Sequence, residues 1–143
     1  SVTLRLFLVY GPNQETNRLI PYVIKSCLKN KSFDITEGRQ FRDFCYVDDF
    51  SNAVIKCLNT KRVHGEVINI ASGKKIQIKS VVKIINSKIN LGKPFFGKKQ
   101  MRKEENHSLY ANIEKAKKLI KWHPKIDINE GLDLTIKHFL KNE

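Results

Sequence analysis

FRDFCYVDDFSNAVIKCL, residues 41–58, changes its hydrophobic period halfway along. Phe44, Tyr46 and Phe50 are spaced by two and then four, whereas Phe50, Ala53, Val54, Cys57 and Leu58 repeat at three and four, so a strand hands over to a helix near Asp48. An acid before a helical pattern ordinarily accepts hydrogen bonds from the free amides of the first turn, and either Asp48 or Asp49 suits that task. Strand alternation puts Arg42 opposite Phe41 and Asp43 and on the same side as Phe44 and Tyr46. A guanidinium in that position is suited to clamping an anion.

Working outward toward the N-terminus, residues 2–9 are nearly continuous in Val, Leu and Phe, broken only by Thr3 and Arg5. That is the pattern of a strand buried on both faces of a parallel sheet. Such a strand needs a neighbour on each side, which reads the chain as a portion of a longer protein. Tyr10, Gly11 and Pro12 stop it, and Asn17 is the expected cap of a helix whose apolar stripe is Leu19, Ile20, Val23, Ile24, Cys27 and Leu28, with Pro21 tolerable in its first turn. A weak strand at 33–36 and a turn through Gly38 lead back to the central stretch.

Toward the C-terminus, a turn at His64 and Gly65 precedes a strand at 67–71, Ile76 and Ile78 alternate, and Ser80 is the expected cap of a helix carrying Val81, Val82, Ile84, Ile85 and Ile89. Residues 90–105 show no periodicity and read as a long irregular loop, the kind of segment where binding residues collect. Leu109 and Tyr110 are extended. Asn112 is the expected cap of a helix at 113–120, ended by Trp122 and Pro124, and Asn129 the start of a last helix bearing Leu132, Leu134, Ile136, Phe139 and Leu140.

A chain of 143 residues is long enough to bury roughly 70% of the surface its unfolded form exposes, so a full core is available. Lys and Arg number 27 against 14 Asp and Glu, a formal net charge of +13, which raises the possibility of a basic module for nucleic acid or another polyanion. The lysines are spread along the chain without aromatic interleaving, so solvated faces account for most of them and neither a nucleic-acid nor a membrane partner is expected. Cys27, Cys45 and Cys57 read as small core residues. No pair of them has metal-ligand spacing and His64, His107, His123 and His138 do not cluster with them, so no metal site is expected and a reducing cytoplasm fits.

The seven glycines are isolated, so no phosphate loop or dinucleotide fingerprint can be assembled, and no local motif suggests a Ser-His-Asp grouping. The remaining candidates are separate cations: Arg18 at the opening of the first helix, Arg42 on its strand and Arg102 in the irregular loop. Arginines beside helix N-termini suit bidentate capture of phosphate if they converge in space.

Four segments taken together, LRLFLVYGPNQETNRLIP, RDFCYVDDFSNAV, GEVINIASGKKIQIKSVVKII and ANIEKAKKLIKWHPKIDINEGLDLTIKHFL, resemble the C-terminal half of the extended short-chain dehydrogenase/reductase family, the NAD-dependent nucleotide-sugar epimerases and dehydratases. The resemblance implies an α/β fold: the C-terminal part of a Rossmann-like doubly wound sheet plus a small mixed substrate-binding lobe, over residues 1–143, without the N-terminal NAD-binding half. It implies a nucleoside diphosphate-sugar as partner, NAD or NADP as cofactor of the intact enzyme but held poorly by this chain alone, and a homodimer when intact. The family's Tyr-x-x-x-Lys dyad is missing: tyrosines 10, 22, 46 and 110 are followed four positions on by Gln14, Ser26, Phe50 and Glu114. No catalytic residue is therefore assigned, and a portion without independent function is a further reading. The resemblance puts Arg18 and Leu19 at the helix approaching the diphosphate, Arg42 and Arg102 on its phosphates, Asn69 near the nucleoside, and Glu105 where some members contact the nucleotide. Many members carry a substrate-contacting asparagine where this chain has Leu8.

Overall fold

The computed structural model describes residues 1–101 and 104–142. In chain order these form β1 (Thr3–Leu6), β2 (Leu8–Tyr10), α1 (Leu19–Leu28), β3 (Ser32–Ile35), β4 (Phe41–Arg42), β5 (Phe44–Tyr46), α2 (Val47–Leu58), a short 3-10 turn (Lys61–Val63), β6 (Val67–Ile70), β7 (Ile76–Gln77), α3 (Ile78–Ile89), β8 (Lys93–Phe96), β9 (Ser108–Leu109), α4 (Glu114–Ile120) and α5 (Ile128–Lys141). β1 pairs in parallel with β6, β2 with β5 and β3 with β8, while β4 lies between antiparallel β7 and parallel β9.

The strand β5 explains why the sequence adopts an α/β layout. Phe44 and Tyr46 point into one core with Tyr10, Ile24, Val81, Val82 and Leu132, covered by α1, α3 and α5. Cys45, between them, points into a second core with Ala53, Cys57, Ile68, Ile70 and Trp122, covered by α2 and α4. Period-two alternation thus serves two cores at once, and helices lie on both sides of the strand.

The apolar run at 2–9 is two strands rather than one. It breaks at Phe7, where the Val9 amide donates to Phe7 O at 3.0 Å, and the halves take different partners. Burial on both faces is not found either: Leu6 is 45% and Leu8 38% exposed, and Leu109 beside them 43%. Residues 90–105, expected to be irregular, contain β8, whose parallel ladder runs from Ser32 opposite Lys93 to Ile35 opposite Phe96. Pro94, and the glycines at 92 and 97 that turn with positive φ just outside the strand, hide it from a periodicity reading.

The expected caps shift as well. α1 starts after Arg18 and not Asn17, α3 after Gln77 and not Ser80, and α5 after Asp127, whose carboxylate accepts from the Glu130 amide at 3.0 Å, and not at Asn129. Asn112 does accept the Glu114 amide at 2.9 Å. Asp48 and Asp49 lie inside α2, and Asp49 has a different task from capping: its two oxygens accept the amides of Lys125 and Ile126, each at 2.9 Å, while its backbone carbonyl accepts the Trp122 indole N–H at 3.0 Å. A 4%-exposed carboxylate is tolerated there because each oxygen accepts an amide from a loop 76 and 77 residues away in sequence.

The three cysteines are free and buried, as expected of core residues. Burial pushes the Cys45 thiol from its ordinary 9.0 up to about 12, helped by the carboxylates of Asp49 and Asp43, and burial also raises Cys27 and Cys57. Tyr10 is raised too, by burial first and then by Tyr46 and Cys45. These groups ionise earlier in the unfolded chain than in the folded one, so their contribution is intact below pH 9.0 and is lost as pH climbs toward the folded values. One unit above the unfolded pKa, a fully protected thiol such as Cys45 costs about 1.4 kcal/mol. The urea midpoint is expected to be level near neutrality and to fall by about pH 10; a level midpoint across that interval would contradict the burial assigned to Cys45.

Candidate functional site

The site is built around Arg42 and Asp43, the junction between β4 and β5. β4 is only two residues long, pinned by Arg42 opposite Ile76 on one side and Leu109 on the other. Asp43 is 1% exposed and accepts four hydrogen bonds: from the Ser72 amide at 2.7 Å, the Ser72 hydroxyl at 2.6 Å, the Gly73 amide at 2.9 Å and the Ala111 amide at 3.3 Å. It therefore ties the loop after β6 and the approach to α4 to the strand carrying Arg42. The Arg42 guanidinium is fixed in turn. Nη1 donates to Phe41 O and Asn106 O, each at 2.8 Å, and Nη2 pairs with Glu105 Oε1 at 2.7 Å. Nε–H and the second Nη2–H have no partner among the described residues.

Arg42 lies on the wall of a cleft of about 890 Å³. Its walls come from the β1–β2 junction, the opening of α1, the end of β3, the β4–β5 junction and the segment after β8. Arg18, Leu19, Arg42 and Glu105 all line it, with Lys99, Asp34 and Leu8. Arg18 is the N-cap of α1 and supplies no side-chain acceptor to the first-turn amides, and no acid stands in that turn. The positive end of α1 is thus uncompensated by its own residues where Leu19 and Ile20 reach the cleft. Cations outnumber carboxylates on the lining, three (Arg18, Arg42, Lys99) to two (Asp34, Glu105). Such a cleft can hold an anion with an apolar or uncharged extension.

Of the residues singled out from the sequence, Asn69 falls elsewhere: it sits on β6, away from the cleft lining, and donates to Asn112 O at 3.2 Å. Arg102 lies outside the described residues. Glu105 is a partner of Arg42, so the arginine is a held guanidinium rather than a free clamp. Sequence reasoning missed Lys99 and Gln40. The run of basic residues Lys98, Lys99, Arg102 and Lys103 in the sequence could have pointed to the first; the second carried no signal in its surroundings. Leu8 does line the cleft, in the place where an asparagine was expected by resemblance.

A dinucleotide pyrophosphate needs a strand-to-helix turn with paired glycines so that backbone can approach it. Here the β2-to-α1 connection has Gly11 alone, and β5 runs directly into α2. The residues present do not fit that cofactor by themselves. Among the described residues there is no group of three or more His, Cys, Asp or Glu able to hold a metal ion, and no helix is long and apolar enough to cross a membrane.

Residues 1–71 match the model of the NAD dependent epimerase/dehydratase family. The chain is 35% identical over 138 residues to a CDP-abequose synthase of Salmonella muenchen, covering 92% of this chain and 45% of that protein. It is 36% identical over 141 residues to a UDP-glucuronate 4-epimerase of Thermodesulfobacterium geofontis, covering 93% and 41%. Among solved structures, UDP-glucose 4-epimerase of Thermotoga maritima with UDP-glucose superposes with a TM-score of 0.90 at 28% identity, covering 97% of this chain and 45% of that one. UDP-glucuronic acid 4-epimerase of Bacillus cereus, in complex with UDP-glucuronic acid and NAD, gives 0.89 at 30% identity, covering 99% and 46%. The chain spans less than half the length of these relatives. With the β5-centred layout and the motif segments aligned over nearly all its length, the chain belongs to the NAD dependent epimerase/dehydratase family.

Proposed function

We propose that residues 1–143 are the C-terminal, nucleoside diphosphate-sugar-binding portion of an NAD(P)-dependent nucleotide-sugar epimerase or dehydratase. The observation that carries this reading is the cleft that gathers Arg18, Leu19, Arg42 and Glu105 at the uncapped start of α1. The diphosphate sits against the α1 amides and Arg18, and Arg42, oriented by Glu105 and two backbone carbonyls, offers its remaining N–H groups to it. By resemblance Arg102, which lies outside the described residues, is assigned to the same anion, whereas Asn69, bonded to Asn112 away from the cleft lining, is given no place on the ligand. The cofactor and the proton-transferring tyrosine belong to the part of the family's fold that carries the glycine turn and the Tyr-x-x-x-Lys dyad, where NAD supplies hydride transfer. What this portion contributes is binding and orientation.

The test is calorimetric titration of the purified chain with UDP, CDP and dTDP. At least one is expected to bind, and Arg42→Ala to weaken it about thirtyfold, the loss of charge-assisted bonds worth roughly 2 kcal/mol. Turnover of a nucleotide sugar by the chain with added NAD would overturn the assignment of the chemistry elsewhere. Saturable binding to duplex DNA at physiological salt, with no nucleotide binding, would favour the polyanion reading suggested by the charge of +13.

A further inference from the structure

Gln40 is buried to 5% exposure on the lining of the cleft, and its carboxamide is only half satisfied. Its backbone carbonyl accepts the Ile78 amide at 3.1 Å, which pins the residue against the start of α3. Its Nε2 donates to Glu105 Oε1 at 3.3 Å, the same oxygen that pairs with Arg42. Its Oε1 has no partner among the described residues. The orientation of the amide follows from its neighbour: turning it over would set Oε1 against the Glu105 carboxylate, acceptor on acceptor. The orphan is therefore an acceptor, and a buried acceptor left unmet is a standing cost that a bound group can relieve.

This restricts what can meet it. Phosphate oxygens accept and do not donate, so the diphosphate cannot satisfy Gln40. The donor is an O–H or N–H from an uncharged part of the ligand, a ribose or hexose hydroxyl or a base N–H. We propose that Gln40 is a specificity-determining residue of the cleft, whose Oε1 accepts a hydrogen bond from a hydroxyl or N–H of the nucleotide sugar while Glu105 holds its other end. Through Glu105, one carboxylate orients both the arginine assigned to the phosphates and the amide assigned to the uncharged part of the same ligand. The inference rests on the proposed function, and a site that discriminates by a buried acceptor rejects an analogue lacking the donor far more strongly than an apolar wall would.

The experiment compares the chain and its Gln40→Met variant, which retains side-chain length and removes the acceptor, in titrations with UDP and UDP-glucose and with 2′-deoxy-UDP, 3′-deoxy-UDP, N3-methyl-UDP and a UDP-deoxyglucose series. In the wild-type chain one of the analogues is expected to bind at least tenfold more weakly than its parent. In Gln40→Met the parent is weakened by a similar factor and that same analogue loses nothing further. The analogue that couples identifies the source of the donor, ribose, base or hexose. Thermal unfolding checks that the variant folds. If the wild-type chain binds nucleotides but no analogue couples to residue 40, or if Gln40→Met becomes more heat-stable at unchanged affinity, the orphan is a packing defect and the inference is overturned. Where CDP or dTDP binds in place of UDP, the deoxy analogues of that nucleotide are read in the same way; if the wild-type chain binds none of the three, the functional reading fails first and this one with it.

Discussion

Asp43→Ala is expected to lower the free energy of unfolding by about 4 kcal/mol, since it strands two or three buried donors at about 1–3 kcal/mol each. Four hydrogen bonds converge on this carboxylate, three of them from backbone amides that cannot turn elsewhere. The loss is a large share of the roughly 5–15 kcal/mol that holds an ordinary domain together. Asp43→Asn is a milder insult, because one acceptor oxygen survives, but its amide N–H₂ then confronts donors. Ser72→Ala removes one hydroxyl bond and is expected to cost about 1 kcal/mol. Nucleotide affinity should fall in Asp43→Ala even where the chain stays folded, because Asp43 is the residue next to Arg42 and fixes the loops on either side of it. Urea denaturation of the three variants checks the order; an Asp43→Ala midpoint equal to that of wild type would show that the loops are held by something else.

Gly131→Ala is the second large effect, and here helix propensity and sterics oppose each other. Within a helix alanine is favoured over glycine by about 1 kcal/mol. A Cβ at this position, however, would lie 2.0 Å from the Tyr10 hydroxyl oxygen, 2.8 Å from Tyr10 Cζ and 3.0 Å from Tyr46 Cδ2. Tyr10 cannot move aside: it is 3% exposed and packs edge-on against Phe44 at 6.0 Å and Tyr46 at 5.6 Å between ring centres. The strain is relieved only by lifting α5, which carries Leu132, Ile136 and Phe139 out of the core. The expected net loss is about 3 kcal/mol, at the upper end for overpacking. Tyr10→Phe removes the closest atom, so the double variant should recover more than half of that loss. Strictly additive losses in chemical denaturation would refute the contact.

How far the fold could be read from the sequence followed from how local its causes are. The apolar stripes of α1 and α3 and the strand-to-helix change at residues 44–50 depend on neighbours within one or two turns, and these expectations held; on α5, Leu132, Ile136 and Phe139 face the core as expected, but Leu134 and Leu140 are exposed, and Gly131 and Thr135 take the buried face instead. Apart from Asn112, the caps failed because several polar residues stand near each helix start and only the path of the chain decides which one reaches the amides. Asp49 looked like a cap because its partners, Lys125 and Ile126, lie 76 and 77 residues away. The break at Phe7 left no mark because residues 6–9 are continuously apolar, and β8 was masked by its proline and flanking glycines. For the cleft, spacing alone offered three separate arginines; family resemblance supplied Leu19, Asn69 and Glu105. Of these, Asn69 turned out to be bonded to Asn112 and away from the cleft. Gln40 could not be read at all, since its significance lies in a bond it lacks.

The sharing of β5 between two cores bears on how the molecule comes apart. Phe44 and Tyr46 belong to one cluster and Cys45 to the other, and the three residues form one continuous strand. Neither cluster can melt while the other persists, because loosening either one frees the backbone on which both are threaded. Asp43, just before that strand, and Asp49, in the first turn of α2 that follows it, anchor loops from later parts of the chain to the same few residues. Unfolding is therefore expected to be cooperative around residues 43–49, with partial opening confined to the periphery, where β7 and β9 hang on two-residue ladders.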